Sequence, residues 1–97
     1  MVLYDIYEIT NQVTSLHGVK LRGTIRKFTL DSHLHCLVEN ASDKENVVRF
    51  ALIKDTKPDA LTDYVKTVIP SVSINCVLKG IPNPVLSKLV VNDLSRY

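Results

Sequence analysis

The chain has no tryptophan, two phenylalanines and four tyrosines, so aromatic residues make up only 6% of it. A core built at 97 residues with so few rings is thin, and a thin core leaves surface for a partner. Three glycines are too few for a glycine-rich phosphate loop. Cys-x-x-Cys, His-Glu-x-x-His and a nucleophile elbow are missing as well, so no catalytic motif stands out. No apolar run exceeds about four residues, which excludes a transmembrane helix. Met1 to Asp5 opens without a basic or apolar leader and is not read as a signal peptide.

The two cysteines, Cys36 and Cys76, lie forty residues apart, each in an apolar stretch. They read as reduced core thiols rather than a disulfide scaffold. His17, His33 and His35 do not pair with them at zinc spacing, so neither a metal nor a cofactor is expected. His33 and His35 alternate along one segment and share a face, but no third ligand accompanies them.

Apolar residues make up 45% of the chain and charged residues 23%. That is the balance of a single globular domain spanning residues 1–97. The net charge of +2 conceals an uneven distribution. The middle third is acidic and the outer two are basic. Between Glu8 and Asp31 there is no acid, while Lys20, Arg22, Arg26 and Lys27 fall inside that window. A local basic stripe of this kind suits weak or shared polyanion binding.

Periodicity then orders the chain. Val2 to Leu16 fits both a strand and a helical stripe through Leu3, Ile6, Ile9 and Val13, and is read as a short helical lead-in ending near Gly18. Val19, Leu21, Gly23 and Ile25 alternate with Lys20, Arg22, Thr24 and Arg26. This is read as a first strand bent at Gly23, with Phe28 and Leu30 following a bulge. Asp31-Ser32-His33 is a turn and Leu34 to Val38 a second strand. A polar hairpin loop, 40–46, leads to a third strand over Val47–Ile53. Thr56-Lys57-Pro58-Asp59 opens a helix whose apolar face is Leu61, Tyr64, Val65, Val68 and Ile69, stopped at Pro70. A fourth strand covers Val72–Leu78, Ile81 to Pro84 is an unpaired turn, and Leu86–Leu94 is a fifth strand.

The order β-β-β-α-β-β predicts an all-β domain with one helix, the five-stranded Greek-key barrel of the OB-fold, preceded by a short N-terminal lead-in. Val19-Lys20-Leu21-Arg22-Gly23-Thr24-Ile25 resembles the opening strand of nucleic-acid-binding OB domains. Ser73 to Gly80, followed by Leu89 to Leu94, resembles their closing pair. A lone OB domain of this length is similar to the smallest subunits of replication protein A and of the telomere-capping CST complex.

That resemblance implies a non-enzymatic nuclear subunit, at chromosome ends or in replication, assembled with a larger OB-fold partner. Single-stranded DNA would be shared with that partner, and an autonomous single-strand binder is the alternative. No membrane and no small-molecule substrate are implied. The expected nucleic-acid contacts are Lys20, Arg22, Arg26, Lys27, Phe28, His33, His35 and Arg49. The expected partner patch is Leu3, Tyr4, Ile6, Tyr7, Leu94 and Tyr97.

A second resemblance bears on catalysis. Leu37-Val38-Glu39-Asn40, the hairpin, helix 59–69 and strand 72–78 resemble the back half of acylphosphatases, which fold as a ferredoxin-like α/β sandwich. There an arginine in a first loop binds phosphate and an asparagine on the second strand orients water. Asn40 matches the asparagine. Gly23 to Phe28 lacks the looped glycines, and about eight residues between Ile25 and Leu34 leave no room for that fold's helix. The expectation is therefore that the chain is not an enzyme.

Overall fold

A computed structural model describes residues 1–13, 15–17 and 20–89. Its elements are β1 (Leu3–Thr10), α1 (Leu21–Asp31), β2 (Cys36–Asn40), β3 (Val47–Ile53), α2 (Asp59–Val68) and β4 (Ser73–Pro82). The four strands form one open antiparallel sheet in the order β2-β3-β1-β4. Both helices join one face of it in a single buried cluster. This β-α-β-β-α-β order, with β3 inserted between β1 and β2, is the split βαβ arrangement.

Two expectations are corrected. Among the described residues the sheet is neither closed nor five-stranded, and there are two helices. Of the expected fifth strand, Leu86–Leu89 runs as turns, while 90–94 lies outside the described residues.

Residues 21–31 form a helix, not a strand. Leu21, Ile25 and Thr29 are its buried residues, at i, i+4 and i+8. That face packs against the sheet beside Val38 and Phe50. The helix closes with a left-handed cap at His33, φ 55°. His33 N donates to Leu30 O at 3.2 Å and Leu34 N to Thr29 O at 2.8 Å. These are the two bonds of a Schellman motif, and Leu34 supplies the apolar contact that accompanies it. The turn expected at Asp31–His33 is thus a helix end.

The expected helical lead-in is the strand β1. It is an inner strand, hydrogen-bonded to β3 on one side and β4 on the other. Both of its faces are covered, which removes the polar–apolar alternation that marks a half-exposed strand. Buried Asp5 is satisfied by backbone, with Oδ1 accepting from Gly80 N at 3.0 Å and Oδ2 from Asp55 N at 3.3 Å. Opposite Asp5 the register with β4 skips Lys79 and Gly80. Gly80 takes the positive φ of 66° that this bulge requires.

β3, α2 and β4 fall where periodicity places them, except that β4 runs on through Ile81 and Pro82, paired with Tyr4 and Leu3. Pro82 is the last residue of an edge strand, a position a proline tolerates. The second sheet face carries a smaller cluster of Ile6, Ala51 and Leu86. Leu86, 4% exposed, belongs to the segment after β4 that crosses this face.

Candidate functional site

The connections at one end of the sheet are tied together. β1 finishes there at Thr10, level with Val47 of β3 and Ser73 of β4. Asn46, at φ 53°, joins the hairpin to the segment after β1. Its Oδ1 accepts from Leu16 N at 2.7 Å and its Nδ2 donates to Asn11 O at 2.6 Å. His17 Nε2 lies 3.1 Å from Val47 O. A carbonyl only accepts, so that nitrogen carries the proton. Asn11 Nδ2 in turn donates to Ser71 Oγ at 3.0 Å.

Two residues that matter for chemistry stand at this end, on neighbouring elements. Asn40 is the last residue of β2 and pairs with Val48. Among the described residues, its Oδ1 is the buried side-chain polar atom without a hydrogen-bond partner. A desolvated acceptor of this kind is satisfied by a water. Arg22 stands in the first turn of α1, and its Nη1 donates to Glu39 Oε2 at 3.3 Å. Arg26, one turn further along, lies 3.9 Å from Glu39 Oε1. Glu39 therefore holds two guanidinium groups against β2, while the side chain of Asn40, the next residue of the strand, projects from its other face.

Two clefts flank this point. One, of about 370 Å³, is lined by His17 and residues 41–46. The other, of about 270 Å³, lies along β2 between Arg26, Glu39, Pro84 and Leu86. Asn40 is the residue between Glu39 of one lining and Ala41 of the other.

The expected nucleic-acid contacts do not form one surface. Lys20, Arg22, Arg26 and Lys27 are exposed on or beside α1 rather than on a strand. Phe28 is stacked on Tyr64 of α2, ring centroids 4.2 Å apart, so one face of its ring is already occupied. His33 caps the far end of α1. His35, also at that end, has Nε2 3.0 Å from Tyr4 Oη.

Arg49 is fully buried. Its Nε donates to Glu8 Oε2 at 2.8 Å, Nη1 to Asp43 Oδ1 at 2.7 Å, Nη2 to Asp43 Oδ2 at 3.2 Å, and Nη1 also to Leu86 O at 3.0 Å. It clamps the crossing segment to the hairpin and is unavailable to a polyanion.

The expected partner patch is likewise divided. Ile6 is in the core, 1% exposed. Tyr7 stacks on Phe50, ring centroids 4.9 Å apart, and burial raises its phenol pKa above the usual value. Leu3 and Tyr4 are half-buried. Leu94 and Tyr97 lie outside the described residues.

Both cysteines are free thiols. Burial pushes the Cys36 thiol up to about 12, which removes it as a nucleophile at neutral pH. Cys76 is exposed on the edge strand rather than in the core. Among the described residues there is no cluster of three metal-ligating side chains and no helix long and apolar enough to cross a membrane.

Arg22 was legible as a basic residue but was placed on the wrong element. Asn40 was legible only through resemblance, and the role of Glu39 had no signal in the sequence. No protein-family model, curated protein or solved structure matches the chain.

Proposed function

We propose that the chain is a small hydrolase for acyl phosphates, with Arg22 binding the phosphoryl group and Asn40 positioning the attacking water. The observation that carries this reading is the buried Oδ1 of Asn40, without a protein partner at the end of β2, the strand to which the first turn of α1 is tied through Arg22 and Glu39. Arg22 fastens the first turn of α1 to β2 through Glu39 at 3.3 Å, and Asn40 at the end of that strand has a buried acceptor that no protein donor meets. The strand order adds support, because it is that of the sandwich acylphosphatases use. α1 also occupies the stretch where the alternating pattern left no room for a helix.

Phosphoryl transfer asks little covalent chemistry of a protein. It needs charge held on the equatorial oxygens and a nucleophile in line. A guanidinium offers the phosphoryl oxygens two parallel donors. Asn40 Oδ1 accepts a hydrogen bond from water and aims its oxygen at phosphorus. The new bond joins water oxygen to phosphorus. The bond from phosphorus to the acyl oxygen breaks, and its electron pair leaves on the carboxylate. One water proton passes to solvent. The departing acid has a pKa near the ordinary carboxyl value of about 4, so no proton donor is required. This suits a site whose protein groups are guanidinium and amide, without a general acid.

The reading of the chain as a nucleic-acid-binding subunit now has less behind it. It rested on a barrel groove, whereas the sheet of the described residues is open, Arg49 is buried and Phe28 has one ring face stacked on Tyr64. The sheet face opposite the helices, where a sandwich of this order would stack bases, carries Leu86 instead.

The test is phosphate release from benzoyl phosphate by the purified chain. Release well above the buffer rate, reduced at least about a hundredfold in Arg22→Ala and absent for a phosphate monoester, is expected. Equal rates for wild type and variant would refute the assignment.

A further inference from the structure

We infer that Glu39 is a built-in competitor for the anion site, an internal carboxylate that phosphate must displace from Arg22 and Arg26. The inference rests on the reading of this end of the fold as a phosphoryl site. Three observations lead to it. One carboxylate is forked between two guanidiniums a turn apart on α1, at 3.3 and 3.9 Å. The pair is wet, with side chains of Arg22 and Glu39 44% and 47% exposed, so an anion from solvent can replace the carboxylate without opening the core. The cleft of about 270 Å³ that Glu39 and Arg26 line gives the displaced side chain and the incoming anion room.

The energetics set the size of the effect. Exposed ion pairs are worth little individually, so the carboxylate is a light latch that a dianion can displace. Glu39 also repels a bound phosphate across a few ångströms, an effect that persists even in bulk water. Loss of the latch and loss of the repulsion act in the same direction. The consequence is selectivity against weakly charged anions. A monoanionic carboxylate offers Arg22 nothing that Glu39 does not already supply, whereas a phosphoryl dianion carries more charge to the same donors. The carboxylic acid product is therefore released while a phosphorylated substrate is retained.

The test uses inorganic phosphate and acetate as probes, with binding to the full chain followed by calorimetry or ³¹P line shape. Glu39→Gln keeps the side chain's shape and removes its charge. Phosphate should bind the variant at least about fivefold more tightly than wild type, and acetate should become a detectable competitor. In the Arg22→Gln background the gain from Glu39→Gln should shrink. Unchanged or weaker phosphate affinity in Glu39→Gln, or no binding by either protein, overturns the inference. Tighter phosphate binding without any acyl phosphate turnover would sustain the latch and reject the hydrolase. Turnover with a phosphate affinity indifferent to Glu39→Gln would do the reverse.

Discussion

Arg49 and Glu8 lie opposite one another on neighbouring central strands, with Nε donating to Oε2 at 2.8 Å. Glu8 is 7% exposed and Arg49 not at all. Two charges this deep are stable only as a pair, and Asp43 together with the Leu86 carbonyl completes the guanidinium's partners. The cluster fastens the β2–β3 hairpin, and with it the end of β2 that carries Asn40, to the segment crossing the far face.

Arg49→Ala should therefore destabilise the fold by about 3 to 5 kcal/mol, because it leaves buried Glu8 with only the largely exposed Lys44 ammonium, 3.5 Å from Oε1, as counter-charge. Urea unfolding measures it. Arg49→Met, which fills the space, should still cost stability for the same reason. A loss below about 1 kcal/mol for Arg49→Ala would mean that the cluster behaves as a solvated surface pair.

Acid should loosen the same clamp. The hydrogen bonds from Arg49 hold the Asp43 carboxyl below its usual pKa. A depressed carboxyl contributes stability in full above its unfolded value, and that contribution is lost as pH falls through the folded value. The stability difference between wild type and Asp43→Asn should be constant between about pH 5 and 7 and shrink below about pH 4. A difference that grows towards acid would contradict the pairing.

Gly23 tests the element that alternation misplaced. It lies inside α1, and an added Cβ meets no atom within 4 Å. Gly23→Ala should stabilise the protein by about 0.5 to 1 kcal/mol, the helix preference for alanine. Destabilisation of similar size would fit a bent strand instead.

The misreading has a physical cause. Leu21 and Ile25 satisfy both a period of two and a spacing of i, i+4. Val19 and Gly23 appeared to complete the alternation, whereas the buried Thr29 that completes the helical face is polar. Glycine, unfavourable inside a helix, looked like a strand's bend. β1 was obscured differently. Its buried Asp5 and Glu8 answer to Gly80, Asp55 and Arg49, partners 41 to 75 residues away, and no local pattern encodes such pairing. α2 was legible because its helical period is unmixed, and β3 because it is a β-branched and apolar run interrupted only by Arg49. Of the site, Arg22 and Asn40 were visible as residues, but their placement at one end of the fold depends on α1 returning beside β2.

The two thiols should separate by reactivity. Cys36, with its pKa pushed up to about 12, holds only about one part in ten thousand as thiolate at pH 8. Cys76 is exposed. Iodoacetamide under native conditions should alkylate Cys76 first, with Cys36 modified only on unfolding. Equal rates by peptide mapping would place Cys36 at the surface.

Asn40 offers the most direct test of the account, because water positioning and phosphoryl binding leave different kinetic traces. With benzoyl phosphate, Asn40→Ala should lower kcat by about a hundredfold or more and leave KM within about twofold, the mark of a group that acts on the transition state. Circular dichroism should show the fold intact. An Asn40→Ala protein that remains folded and turns over substrate at the wild-type kcat would contradict the central claim.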